Sequence, residues 1–184
     1  MVKKKGSKPT TETARTSSFV VNEPLAAYAV SSSGNTSTYH YSESGLDTSA
    51  MRIIGHYKND FSSPHSKLVA IKKGLQAQAL LDLMLVTGAT RVDIAHLLDL
   101  TEPTLRKYIT AGKELNIGLS EHILQLFELF DKGMDTFGSL EDFKNWLPKH
   151  NIGIDAKPID LLDTITGISI VMNELLRIDY GVLA

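Results

Sequence analysis

Residues 158–184, PIDLLDTITGISIVMNELLRIDYGVLA, restrict the possible folds more than any other part of the chain. Leu161, Ile165, Ile168, Met172, Leu175 and Ile178 recur at steps of three and four, which aligns them on one face of an α-helix. Such a face must be buried, so the stretch predicts the closing helix of a helical core. Pro158 opens it where a missing N–H matters least, and Gly181 follows Tyr180 where a helix commonly exits through a left-handed residue. Gly167 weakens a single continuous helix, so the spacing predicts a short helix, a break near residues 163–167 and a longer terminal helix.

With 184 residues and 42% apolar side chains the chain can bury one ordinary core or two small ones. No cysteine is present, which excludes a disulfide scaffold and a thiolate zinc site and favours a cytoplasmic setting. No apolar run approaches the roughly 18 residues of a membrane span, so no membrane partner is expected. Lys3, Lys4 and Lys5 precede an apolar patch at 19–30, but Asn22, Glu23 and Pro24 break that patch and no export signal is read. Charge is uneven. Residues 1–66 and 67–118 each carry seven Lys/Arg and five Asp/Glu, whereas 119–184 carry five against eleven. A mildly basic front and an acidic back fit two surfaces with different partners, or simply two solvated faces.

Residues 1–50 hold ten Ser and seven Thr without sustained periodicity, a composition that buries too little apolar area to offset the entropy of ordering and predicts a flexible arm. Residues 51–66 read as a linker or short packing element, and within them MRIIGHYKNDF fits a short strand or a helix equally. From Lys67 the pattern turns helical. Leu75, Ala79, Leu80, Leu83 and Met84 form a stripe that stops at Thr87 and Gly88. Thr90 with Asp93 has the spacing of a capping box, Ile94, Ala95 and Leu98 face inward, Asp99 and Leu100 make a turn, and Thr101 caps a second helix in which Leu105, Tyr108 and Ile109 face the core. Ser120 is the expected cap of a helix over 119–137 with Ile123, Leu124, Phe127, Phe130 and Met134 as its stripe. Ser139 and Asp142 start a short helix whose Phe143, Trp146 and Leu147 point inward.

The two helices around Asp99 have the makings of a helix-turn-helix. They resemble the Xre type, with Ile94-Ala95 in the first helix, Leu100 after the turn and Leu105 ten residues beyond the alanine. Asp99 occupies the position that is usually glycine, which is tolerable because Asp enters the left-handed region more readily than most residues. Farther on, the pattern "P-I-D-L-L-D-T", a glycine at 167 and the ending "L-L-R-I-D-Y-G-V-L-A" resemble the toxin-binding domain of Xre/MbcA/ParS antitoxins. The short helix before it, with Phe137-Gly138-Ser139 and Trp146-Leu147, is similar to that family too, whereas Asn151-Ile152-Gly153-Ile154 lacks the family's paired glycine.

The resemblance covers about residues 68–184. It implies an all-α protein in which an Xre-type helix-turn-helix domain, 67–118, for DNA binding and dimerisation, precedes a small helical toxin-binding domain, 119–184. It implies an antitoxin whose partner is a RES-domain toxin, an NAD-degrading enzyme of ADP-ribosyltransferase-like fold, and whose helix-turn-helix represses its own operon. A homodimer within a hetero-oligomeric toxin-antitoxin complex is expected. Arg177, Asp179, Tyr180, Gly181, Val182, Leu183 and Ala184 are the candidate segment that blocks the toxin's cleft, with Asp160 and Asp163 beside them. Thr101, Arg106, Lys107 and Thr110 are the candidate contacts to operator DNA. Glu102 and Pro103 are poor phosphate partners, so a helix-turn-helix kept only for dimerisation stays open.

Catalytic signals are missing from the sequence. None of the six histidines sits three to five residues from another, and there is no glycine-rich phosphate loop or nucleophile elbow. Asp160 and Asp163 lie where a helix start favours acids. No metal, cofactor or enzymatic activity is expected. The alternative is a stand-alone dimeric helix-turn-helix regulator without a toxin partner.

Overall fold

A computed structural model describes residues 43–181. Their regular structure is helical apart from two isolated bridges: α1 Glu43–Phe61, α2 Pro64–Lys73, α3 Gln78–Thr87, α4 Arg91–Leu97, α5 Glu102–Ala111, α6 Ile117–Phe137, α7 Leu140–Trp146, a 3-10 turn Pro158–Leu161, and α8 Ile165–Asp179. The all-α expectation holds. Residues 1–42 of the expected arm lie outside the described residues, but its last part does not: 43–50 already belong to α1. The strand-or-helix alternative for 51–61 resolves as helix, because Ala50, Ile54, Tyr57 and Phe61 recur at helical steps and are all buried.

α6 is the axis of the fold. Its Leu119, Ile123, Leu124, Leu126, Phe127, Leu129 and Phe130 are buried on several sides, and α1, α2, α3, α7 and α8 all pack on it. A helix that is apolar nearly all round is stable only when enclosed by neighbours. Tyr57 of α1 stacks on Phe127 with ring centroids 4.2 Å apart, and its hydroxyl donates to Asp82 Oδ2 at 2.6 Å. Burial first, and the Asp82 carboxylate second, push this phenol well above the usual tyrosine range.

The expected cap of α6 is displaced. Asn116 caps the helix, its Oδ1 accepting from the Leu119 N–H at 2.9 Å. Ser120 is instead fully buried: its Oγ accepts from the Leu75 N–H at 2.9 Å and donates to the Leu115 carbonyl. A hydroxyl inside the core needs such partners, and this one ties the α2–α3 connection to the start of α6.

α3, α4 and α5 follow the sequence closely. Thr90 and Asp93 form a reciprocal capping box, and the Thr90 hydrogen bonds hold the Asp93 carboxyl below the usual range. Asp99 adopts φ 51°, and the Leu100 N–H returns to the Ala95 carbonyl at 2.7 Å, which closes the α4 exit as a left-handed cap does. Thr101 caps α5. Ile94, Ala95, Leu98 and Leu105 are buried as expected, while Tyr108 and Ile109 are half-buried against the same core.

α7 brings Phe143 against α6, edge-on to Phe130 at 5.2 Å. After it, a loop closed by the Asn151 N–H to Ala156 carbonyl bond at 2.9 Å leads into the 3-10 turn. The break that the sequence predicts near 163–167 falls at Leu162–Thr164, where Thr164 caps α8 by accepting from the Gly167 N–H at 3.0 Å. Gly167 lies against the Leu161 carbonyl so closely that a Cβ would overlap it. Gly167→Ala is therefore expected to destabilise the protein by on the order of 2 kcal/mol, read as a lower midpoint in thermal or urea unfolding. An unchanged midpoint would show that α8 is not held against the turn.

Candidate functional site

Two surfaces contain the residues singled out from the sequence: the carboxyl-terminal helix with its preceding turn, and the exposed side of α5. α8 buries Gly167, Ile168, Val171, Glu174 and Leu175. Of the predicted apolar stripe, Leu161, Ile165, Met172 and Ile178 are only half-buried. The buried face is thus rotated toward Val171 and Glu174 relative to that stripe. His122 of α6 is buried and its Nε2–H donates to the Leu162 carbonyl at 2.8 Å, pinning the break before α8 to the central helix.

Glu174 is the residue that the sequence reading missed. It is 3% exposed, and its carboxylate accepts from Arg177 Nε and Nη2, both at 2.7 Å, and from Asn151 Nδ2 at 2.8 Å. The Arg177 guanidinium first, and the Asn151 amide as well, hold the Glu174 carboxyl below the usual glutamate range, and the same pairing raises Arg177. A buried carboxylate is tolerable only with such partners. The available signal was an acid between two core positions, Val171 and Leu175, with an arginine three residues on.

The other charged candidate is also engaged. Asp179 pairs with Lys132 of α6, which reaches Asp135 as well at 3.3 Å. Lys132 holds the Asp179 carboxyl down, and Asp179 raises Lys132. Arg177 and Asp179 therefore both make intramolecular ion pairs. Asp160 and Asp163 are exposed on and just after the 3-10 turn. Tyr180 is 81% exposed, and Gly181 leaves the helix at φ 65° as predicted. Val182, Leu183 and Ala184 lie outside the described residues.

On α5, Pro103, Arg106, Lys107, Thr110 and Ala111 line one shallow surface depression. Arg106 lies 3.6 Å from Glu102 one turn back, and the Thr101 hydroxyl is engaged with Thr104. Lys107 and Thr110 are exposed. Cationic and hydroxyl groups on one face of a helix can meet phosphate oxygens or base edges, and Glu102 opposes this at one end. Among the described residues no group of three or more His, Cys, Asp or Glu could hold a metal ion, and no helix is long and apolar enough to cross a membrane.

Residues 132–181 match the family of antitoxin Xre/MbcA/ParS C-terminal toxin-binding domains. The matched span runs from the second half of α6 through α7, the 151–156 loop and the 3-10 turn to the end of α8. No curated protein matches the chain.

A carboxylate with a depressed pKa stabilises the fold above its unfolded value and loses that contribution as pH falls through the folded value. Wild-type protein is accordingly expected to be more stable than Glu174→Gln at pH 7. That advantage should shrink as pH drops below about 4.5, the ordinary value for this group. Urea midpoints across pH check this, and a pH-independent difference would mean that the carboxylate is not the stabilising partner.

Proposed function

Residues 132–181 belong to the Xre/MbcA/ParS antitoxin family through its C-terminal toxin-binding domain, and on that premise we propose that this chain neutralises a RES-domain toxin by covering the cleft in which that enzyme degrades NAD. The family match carries the reading. The blocking segment is Tyr180, Gly181, Val182, Leu183 and Ala184, flanked by Asp160 and Asp163, with Arg177 and Asp179 at its root. Several observations support it. Tyr180 stands exposed at the end of α8, and the Lys132–Asp179 ion pair and the Asn151–Glu174 hydrogen bond fix that end of the helix to its own domain. The acidic balance of 119–184 complements a cleft that binds a polyanionic dinucleotide. The role requires no catalysis and no cofactor of this chain, and the complex forms in the cytoplasm.

The second half of the proposal concerns α4 and α5. Two helices joined by a tight left-handed turn, with Arg106, Lys107 and Thr110 outward, support a helix-turn-helix that contacts operator DNA, Thr101 sitting at the helix start. One copy of such a unit binds weakly, so a homodimer on a two-part site within the toxin-antitoxin complex is the physical expectation.

Deleting residues 180–184 is expected to leave the far-UV circular dichroism and thermal midpoint unchanged while abolishing protection of cellular NAD when the chain is co-expressed with its toxin. Full protection by the truncated chain would rule out the blocking segment. Replacing both Arg106 and Lys107 with Ala is expected to weaken binding to a fragment of the chain's own promoter and to reduce the slope of log K against log salt by about 1 to 2, with neutralisation intact. An unaltered slope in mobility-shift titrations would remove α5 from the DNA interface.

A further inference from the structure

We infer that Lys132 of α6 is a positioning residue for toxin neutralisation: by holding Asp179, the last residue of α8, it fixes Tyr180 and Gly181 at the start of the blocking segment. This rests on the blocking-segment reading and adds to it a residue 47 positions away that is not itself among the proposed toxin contacts. A helix by itself would not favour an acid at this place. Its carboxyl end carries unpaired carbonyls and the negative end of the backbone dipole, so Asp179 is disfavoured there and the last turn tends to fray. Lys132 offsets this, its ammonium meeting the Asp179 carboxylate. Thr136, one turn further along α6, has its buried hydroxyl beside the same carboxylate.

Full burial along α8 stops at Leu175, because none of Leu176, Arg177, Ile178 and Asp179 is buried. The last turn therefore depends on cross-links more than on packing. Glu174 accepts from Asn151 on the 151–156 loop, and Arg177 is engaged by Glu174 on the same helix. Lys132 to Asp179 is the link at the final residue, and it comes from the axis of the fold. Immediately beyond it the Tyr180 N–H donates to the Leu176 carbonyl at 3.1 Å and the Gly181 N–H to the Ile178 carbonyl at 3.0 Å, with Gly181 at φ 65°. The direction in which the chain leaves is set by the turn that Lys132 holds. Asp135 shares the ammonium at 3.3 Å, so removing the lysine leaves two carboxylates around one position, and their repulsion acts on that turn. An ion pair whose side chains are 21% and 28% exposed adds little to global stability. Its consequence is local order at the point of departure, which lowers the entropy lost when the segment enters a cleft.

The test compares Lys132→Met, which removes the charge and keeps an apolar stem, with Lys132→Arg, which keeps the charge. Each full-length chain is read twice: by NMR order parameters of the Tyr180 and Gly181 amides in the free protein, and by inhibition of the purified RES-domain toxin of the native host, followed as NAD consumed. Lys132→Met is expected to drop both order parameters from about 0.85 to below about 0.6. It is expected to weaken inhibition at least about tenfold and to leave the thermal midpoint unchanged, while Lys132→Arg matches the wild type in every reading. Wild-type inhibition by Lys132→Met, or an equal loss in Lys132→Arg, overturns the positioning role while the blocking-segment reading stands. Weakened inhibition with both amides still ordered also overturns it, since the lysine then touches the toxin itself. A lowered midpoint with order lost throughout α8 makes the lysine a general support of the fold and overturns it too. Failure of the wild-type chain to inhibit the toxin overturns both readings.

Discussion

Enclosure of α6 is the constraint on which the rest of the structure depends. A 21-residue helix that buries Leu119, Ile123, Leu124, Leu126, Phe127, Leu129 and Phe130 cannot stand against a single layer. It therefore dictates that α1, α2, α3, α7 and α8 surround it, and it sets where polar groups enter the interior. Ser120 and His122 both lie on this helix, and each is satisfied by backbone from a different connection, Leu75 and Leu115 for the one and Leu162 for the other. Those bonds convert a merely apolar contact into a defined arrangement of the chain around the axis.

The same axis determines how the carboxyl-terminal helix is presented. α8 rests one face on α6 and is held near its end by Lys132 to Asp179, while Glu174, paired with Arg177 on the same helix, accepts from Asn151 and so ties it to the 151–156 loop. These charges serve the protein's own geometry. Asp160 and Asp163 around the 3-10 turn and Tyr180 at the helix end stay exposed.

Local patterns were legible wherever a few neighbouring residues determine the outcome. The caps at Thr90, Thr101, Ser139 and Thr164 and the left-handed turn at Asp99 all depend on interactions within about five residues, and the sequence signals agree with the structure at Thr90, Thr101, Ser139 and Asp99. Ser120 did not follow its local signal, because Asn116 is an equally good cap four residues earlier and only the approach of Leu75 gives the serine hydroxyl another use. The start of α1 within a Ser-rich segment was hidden for a related reason: its helix is stabilised by contacts of Ala50, Ile54, Tyr57 and Phe61 with distant parts of the chain.

By itself, the sequence determined the helical class, most helix ends and the word pattern that marks the terminal domain, since hydrophobic period and capping chemistry are short-range properties. Tertiary structure alone decided which side of α8 is buried, that Glu174 lies inside with Arg177 and Asn151 as its partners, and that Asp179 pairs with Lys132 of α6. The physical reason is that burial and hydrogen bonding across 23 residues, as between Asn151 and Glu174, depend on how the helices close around α6, and no local spacing encodes that closure.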